Sequence, residues 1–180
     1  MSMDTPNTAD VTNRTLPALR EGTWSVDPER SEIGFAVKAM WGLVTVRGVF
    51  CEFGGRLDVR ASAAAGELTI EAASLDTRNN RRDKHLRSAD FFDVERHPQI
   101  VFTARSVTAG SAGVTVTGEL AIGPARVPLE VPVTVERPAD DVARLAGSTS
   151  IPREAAGLTW NWLGTIGRDA TLHARLTLKR

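Results

Sequence analysis

This sequence of 180 residues has one cysteine, three histidines and no formal net charge. The single cysteine, Cys51, cannot form an internal disulfide, and His85, His97 and His173 lack the spacing of zinc ligands. Basic and acidic residues number 22 each, so the formal net charge is zero, without the excess of basic residues typical of nucleic-acid-binding proteins. The sequence therefore argues against a disulfide scaffold, a structural metal and a nucleic-acid partner, and it implies no cofactor.

Long apolar runs are also missing. No segment reaches the roughly 20 consecutive apolar residues that span a bilayer. The first 21 residues are polar and lack the continuous apolar stretch of a secretory signal. We therefore interpret residues 1–21 as a flexible tail and residues 22–180 as one domain, and we expect a soluble, cytoplasmic protein. A chain of this length with 42% hydrophobic residues can bury one sizeable core.

The common catalytic motifs are absent as well. The chain has no G-x-S-x-G nucleophile motif, no H-E-x-x-H zinc motif and no glycine-rich phosphate loop. The sole local acid–base candidates are Asp83 and His85, and residues two apart on a helix do not face each other. A small enzyme using this pair remains an alternative, but the sequence favours a protein that is not an enzyme.

Alternation of apolar and polar residues with a period of two is what the sequence has in abundance. Ile33, Phe35 and Val37 alternate with more polar or smaller residues, which predicts a strand buried on one face. The same spacing recurs at Val44–Phe50, Leu68–Ala72, Ile100–Ala104, Val114–Ile122, Val127–Val135, Val142–Ile151 and Ala170–Leu178. About eight strands with polar or glycine-rich turns predict an all-β, antiparallel barrel or sandwich.

Two places break this alternation. After Cys51 the aromatic parity shifts to Phe53, which predicts a bulge or a strand end there, with a bend beginning at Gly54–Gly55. Pro128 and Pro132 share one face and remove donors from the ladder, which predicts an edge, a bend or a bulge. An unpaired edge near these prolines would offer a surface for a homodimer.

Residues 76–99 interrupt the β pattern with many charged residues, two adjacent phenylalanines and two histidines. Asn79–Ser88 contains no β-branched residue and is rich in arginine, lysine and leucine, which predicts a short helix. Its candidate N-caps are Asp76, Thr77 and Asn79. We expect this helix to lie across one end of the barrel as a lid, with Phe91 and Phe92 forming its apolar underside.

Three motifs resemble the YceI family of bacterial lipid-binding proteins. Members commonly show V-D-x-x-x-S-x-I-x-F, V-x-G-x-F and R-D-x-H-L-R-S-x-D-F-F, which correspond here to Val26–Phe35, Val46–Phe50 and Arg82–Phe92. The likeness runs from about Trp24 to about Leu178. It implies an up-and-down, lipocalin-like barrel of eight strands that binds and carries a long-chain isoprenoid-type amphiphile. Barrels of this size can enclose one small ligand.

The resemblance also implies where such a ligand would lie. Its tail would contact the apolar lumen, for which the candidate residues are Phe35, Val46, Phe50, Leu68, Ile70, Phe91, Phe92, Phe102, Leu120, Trp160, Trp162 and Leu172. Guanidinium groups suit a phosphate or pyrophosphate, so the candidate head-group residues are Arg82, His85 and Arg87 near the barrel mouth. A solvated helix face paired to Asp83, Asp90 and Asp93 would explain these arginines equally well.

Several alternatives stay open at this stage. The ligand could be a polyprenyl phosphate or a neutral isoprenoid quinone, and the quinone would leave the arginines without an anionic partner. A different class of protein, an interaction or stress-response module, would fill the lumen with its own side chains. For the lipid-binding reading we expect at most transient contact with a membrane. Two departures from the family pattern are Ala39, where a histidine is more common, and the absence of an export signal.

Overall fold

Eleven antiparallel strands make up most of the computed structural model, which describes residues 19–61, 63–110 and 113–180. The strands are β1 (Gly22–Val26), β2 (Glu32–Ala39), β3 (Val44–Phe50), β4 (Phe53–Arg60), β5 (Ala63–Glu71), β6 (Leu75–Asp76), β7 (Gln99–Gly110), β8 (Gly113–Ile122), β9 (Ala125–Ala139), β10 (Val142–Pro152) and β11 (Ile166–Lys179). One α-helix, α1 (Asn80–Arg87), follows β6. All strands belong to one sheet.

The sheet closes on itself through β1, which pairs with β4 on one side and with β11 on the other. The pairs β1 and β2, β3 and β4, and β5 and β6 are each separated by a short interruption and continue along the same side of the sheet. Each pair forms one bent strand. The eleven segments therefore make a barrel of eight strands. The predicted eight-stranded, antiparallel, lipocalin-like barrel is confirmed.

Local detail differs from the sequence-based expectation in two places. The predicted bend at Gly54–Gly55 is wrong, because both glycines lie inside β4 and pair with Thr69 and Leu68 of β5. Ala72, expected in a strand, lies in a 3-10 turn that separates β5 from β6. Residue propensity does not predict a glycine-rich strand, because glycine has no side chain to pack.

The two prolines of β9 lie where its pairing is one-sided. The ladder between β9 and β10 runs from Val142↔Ala139 to Gly147↔Val133, whereas Pro128 and Pro132 pair only with β8 in the register. This stretch has the edge character that missing N–H donors require. A homodimer through this edge stays a prediction.

The barrel has a closed end and a covered end. At the closed end, Trp24 is fully buried with Leu19, Val59, Ala64, Ala143 and Leu178, and its Nε1 donates to the carbonyl oxygen of Arg20 at 2.9 Å. At the other end, which we call the mouth, α1 and residues 153–165 lie over the lumen. A ligand in the lumen would therefore pass through the mouth.

The predicted tail falls largely outside the described residues, which begin at Leu19. Arg20 forms an ion pair with Asp140 at 2.6 Å. Within the described part of the chain, no helix has the length and apolar character needed to cross a membrane.

Candidate functional site

A cavity of about 870 Å³ occupies the barrel interior. Its wall is mostly aliphatic and aromatic, because the inward-facing positions of the strands carry the apolar residues of the period-two pattern. The predicted lumen residues that line it are Phe35, Val46, Phe50, Leu68, Ile70, Phe91, Phe92, Phe102, Leu120, Trp160 and Leu172. Trp162 begins a 3-10 turn, Trp162–Gly164, and its side chain lies outside the described part of the structure.

Gly48 makes room for an aromatic side chain on this wall. It pairs directly with Phe35 across β2 and β3, and a Cβ atom at Gly48 would lie 2.5 Å from Cζ of Phe35. The Phe35 ring therefore covers the glycine and packs against Phe50, with ring centroids 5.7 Å apart. This contact gives a physical reason for the glycine of the V-x-G-x-F motif.

Helix α1 is held over the mouth by its own first turn. Asn79, one of the predicted caps, accepts the backbone N–H of Arg82 at 3.0 Å. Asp83 is buried and accepts the backbone N–H of Thr77 at 3.0 Å and the Thr77 hydroxyl at 2.5 Å. The Arg82 guanidinium donates to the same residue, through Nε to the Thr77 hydroxyl and through Nη2 to the Thr77 carbonyl. The lid is thus anchored to the chain that leaves β6.

Phe91 and Phe92, just after the helix, complete the cover over the barrel mouth. Phe92 contacts Phe50 edge-to-face, with centroids 6.2 Å apart, and so joins the lid to the barrel wall. Phe91 packs against His85 and Trp160 at centroid distances of 5.1 and 5.3 Å. The His85 ring also meets Trp160 edge-on at 4.6 Å, which links the helix to the loop after β10.

The three predicted head-group residues are not equivalent in the structure. Arg82 and His85 line the cavity. Arg87 is turned away to the backbone, where its Nε donates to the carbonyl of Ala73 at 2.7 Å and its Nη2 to that of Leu75 at 2.6 Å. The helix arginines do not pair with Asp83, Asp90 or Asp93 among the described residues; Asp90 instead lies 3.3 Å from Nε2 of His85, and Asp93 pairs with Arg96.

Arg153 is a charged residue on the cavity wall that the sequence analysis did not single out. It is only 6% exposed, and burial lowers the pKa of its guanidinium, an effect opposed by the Glu154 carboxylate. Its Nε donates to the carbonyl of Gly167 at 2.7 Å and its Nη1 to those of Leu158 and Trp160 at 2.8 and 3.4 Å. Within the described part of the chain it forms no ion pair, and Nη2 donates no hydrogen bond. A guanidinium stays protonated in proteins, so the cavity wall carries a positive charge that has no ion-pair partner among the described residues.

The acid–base pair considered from the sequence is not assembled. Asp83 bonds to Thr77, and His85 lies near Asp90 instead. Asp90 is exposed, and the His85–Asp90 contact lies on the lid surface. No group of three histidine, cysteine, aspartate or glutamate side chains among the described residues is arranged to hold a metal ion.

Residues 24–178 match the YceI-like domain family. The chain belongs to the YceI-like family. The resemblance inferred from the three motifs is therefore confirmed, and the matched span agrees with the interval proposed from sequence. It runs from the buried Trp24 at the closed end to Leu178 in the last strand.

Curated relatives agree with this assignment over part of their length. The chain is 33% identical over 112 residues to a UPF0312 protein of Pectobacterium carotovorum, which covers 61% of this chain and 58% of that protein. It is 33% identical over 97 residues to Protein YceI of Escherichia coli O6:H1, covering 52% and 51%. The aligned region spans about half to three fifths of the length of these YceI-like relatives.

Solved structures share the barrel. BcnA of Burkholderia cenocepacia superposes with a TM-score of 0.77 at 24% identity, over 84% of this chain and 98% of that chain. A polyisoprenoid binding domain from Saccharophagus degradans, implicated in plant cell wall breakdown, superposes with a TM-score of 0.72 at 16% identity, over 87% and 97%. At these identities the likeness establishes the fold of this YceI-like chain.

Proposed function

We propose that this protein binds one long-chain, isoprenoid-type amphiphile, with the tail in the barrel lumen and the polar end at the mouth. The observation that carries the proposal is the apolar cavity of about 870 Å³, which lies within the roughly 300–1,000 Å³ range of small-molecule sites. A core filled by its own side chains would leave no such space. The polyisoprenoid-binding domain with the same fold adds support for this class of ligand.

The shape of the lumen suits a long, flexible tail. The cavity wall extends from Trp160 and Phe91 at the mouth to Leu178 near the closed end. Each methylene taken out of water contributes about 0.8 kcal/mol, so a few isoprene units would give micromolar binding from water. For a tail already in a membrane this contribution falls close to zero, and contacts at the polar end decide whether the lipid is taken up.

For the polar end we propose Arg82, His85 and Arg153. Each lines the cavity and keeps one nitrogen free of hydrogen bonds to the described residues: Nη1 of Arg82, Nδ1 of His85 and Nη2 of Arg153. Arg87 is left out because it does not line the cavity, and its Nε and Nη2 donate to backbone carbonyls outside it. Two guanidinium groups favour a phosphate-bearing lipid over a neutral quinone.

The proposed role is binding and carriage without catalysis, since the sole acid–base candidates of the sequence bond to other partners. Carriage requires the lid to open. Its hinge would be the chain on either side of α1, where Arg78 and Asp93 adopt positive φ values of 60° and 47°.

Mass spectrometry of the native protein tests the proposal. Protein isolated from bacteria under gentle conditions should carry an additional mass of several hundred daltons, and solvent extraction should release an isoprenoid lipid. Reloading with a polyprenyl phosphate and with an isoprenoid quinone then separates the two head groups. A bare polypeptide mass, together with failure to take up either lipid, would exclude the proposed function.

A further inference from the structure

The exposed large hydrophobic side chains of the described residues are all at the mouth end of the barrel. They are Met40, Trp41, Leu43, Val44 and Leu163, which we call the apolar tip. Trp41 is 75% exposed and Leu43 82% exposed. Scattered apolar side chains on a surface need no explanation, but a contiguous group marks an interaction site.

Two neighbouring loops build the apolar tip. The turn between β2 and β3 carries Met40, Trp41 and Leu43, Val44 begins β3, and the turn before β11 carries Leu163. The backbone N–H of Trp41 donates to the carbonyl of Thr165 at 3.4 Å, and Ala39 pairs with Ile166 just below. Ala39 and Ile166 both line the cavity, so the apolar tip stands beside the opening through which a ligand would pass.

The backbone of the tip is held in an unfavourable conformation. Met40, Trp41 and Leu163 adopt positive φ values of 48°, 55° and 53°. Non-glycine residues in this region are strained, and such strain concentrates at functional sites. The tip therefore exposes apolar side chains to water on a strained backbone, a combination that brings no benefit to the isolated barrel.

Exposed basic side chains lie on the strands that carry the apolar tip and on the lid. Across residues 36–48 and 163–169 stand Lys38, Arg47 and Arg168, with Asp169 as the one carboxylate. Arg78, just before the lid helix, and Arg81 and Lys84 in its first two turns add three exposed basic residues. Among the described residues none of these six forms an ion pair. Apolar side chains flanked by cations without ion-pair partners fit the interface of an anionic bilayer, where the apolar groups insert and the cations meet lipid phosphates.

We propose that the apolar tip inserts into membranes containing anionic lipid and places the mouth of the barrel on the bilayer surface. This goes beyond lipid binding, because it names the surface from which a lipid would enter. A second copy of the chain fits the apolar tip less well. A two-fold contact between two tips would bring the basic residues beside one tip against those beside the other. The docking can be measured without any cargo in the lumen.

Flotation with lipid vesicles tests the proposal. The wild-type protein should bind vesicles of phosphatidylcholine with phosphatidylglycerol, bind phosphatidylcholine alone more weakly, and lose binding as salt is raised. The double variant Trp41→Ser/Leu43→Ser should lower the partition coefficient about tenfold or more, because each side chain loses its transfer out of water. Lys38→Glu and Arg47→Glu should each lower it about fivefold or more. Arg137→Glu, an equal charge change at the closed end, is the matched control.

Tryptophan fluorescence provides a second readout: the emission that the wild type has and the Trp41→Ser/Leu43→Ser variant lacks belongs to Trp41, and it should shift to the blue on binding vesicles and be quenched by brominated lipid. Equal vesicle binding by the wild type and the folded Trp41→Ser/Leu43→Ser variant would overturn the proposal, as would no binding by the wild type. A wild-type dimer in light scattering that this variant converts to a monomer would assign the tip to a second copy instead. If the protein still carries lipid in any of these cases, the proposed lipid binding is unaffected and only the membrane docking is excluded.

Discussion

At the scale of single residues, Gly48 decides how the lumen wall is shaped. A Cβ atom there would lie 2.5 Å from Phe35 Cζ and 2.9 Å from Thr77 Cγ2, both on buried residues. We expect Gly48→Ala to lower the free energy of unfolding by about 1–3 kcal/mol, because the Phe35 ring or the lid must move. In a domain of this size each kcal/mol lowers the melting temperature by about 2–4 °C, measurable by thermal circular dichroism. Gly54→Ala is the control, since nothing lies within 4 Å of its added carbon; an equal loss there would contradict the steric account.

Arg153 and Arg87 provide a matched pair for the head group. Both donate to backbone carbonyls, but only Arg153 lines the cavity. We expect Arg153→Gln to weaken binding of a polyprenyl phosphate about tenfold or more, because a hydrogen bond to a charged group is worth about 1.5–3 kcal/mol. Binding of an isoprenoid quinone should change little. Arg87→Gln should affect neither ligand in a titration of delipidated protein, and an equal loss for both variants would mean that the effect comes from the fold.

The sequence predicts which residues line the lumen, but it does not predict that Arg153 is one of them. Inward positions such as Phe35, Phe102 and Leu172 follow from parity, because a strand alternates its faces strictly. Arg153 follows the last residue of β10 and is buried by residues distant in sequence, including Gly167. No local pattern distinguishes it from a solvated arginine. A buried charge of this kind becomes visible only when the loop that folds over it is known.

At the scale of elements, the seam between β1 and β11 is short and depends on few contacts. The register pairs only Ser25↔Lys179 and Val26↔Leu178, and Nζ of Lys179 lies 2.7 Å from Oδ2 of Asp27. The hydrogen bond from Lys179 holds the pKa of Asp27 below its ordinary value of 3.8, against a smaller opposing effect of burial. The charge pair therefore helps to close the barrel at neutral pH.

The sign of the resulting pH dependence follows from that direction. Because the folded-state pKa is depressed, the stabilisation by Asp27 is present above about pH 4 and is lost as the pH falls through the folded-state pKa. We expect Asp27→Asn to melt below the wild type at neutral pH, with the difference vanishing in acid. Glu136→Gln, at an exposed carboxylate, should show no such pH-dependent difference. Thermal melts at a series of pH values measure this, and a gap that stays constant into acid would contradict it.

Elements differ in how far sequence predicts them. The lid helix was predicted, with Asn79 as one of three candidate caps, because its composition and cap chemistry are local. Strand β4 was not, because Gly54 and Gly55 resemble a bend and its pairing with β5 is decided by the rest of the sheet. The irregular chain around Trp160 was assigned to no element from the sequence, because its conformation depends on contacts with His85 and Arg153.

At the scale of the whole molecule, lipid binding depends on a hollow barrel interior. One substitution tests whether the interior is hollow or filled by side chains. Ala174 lines the cavity from β11, and its neighbour Arg175 is exposed on the outer face. In a filled core Ala174→Trp would cost stability through overpacking, about 1–3 kcal/mol or more. In a hollow lumen the indole enters free space, so we expect the melting temperature of the lipid-free protein to stay near that of the wild type while bound lipid decreases in native mass spectra.

Arg175→Trp adds the same side chain to the outside of the same strand and should leave the lipid in place. Thermal melts of lipid-free protein and native mass spectra of both variants give the comparison. If Ala174→Trp unfolds the barrel while Arg175→Trp does not, the interior has no room for a guest. If Ala174→Trp keeps both its stability and a full complement of lipid, the lipid lies somewhere other than the lumen. Loss of lipid with retained stability is the outcome that an apolar cavity of about 870 Å³ predicts, because a tail and an indole would compete for one space.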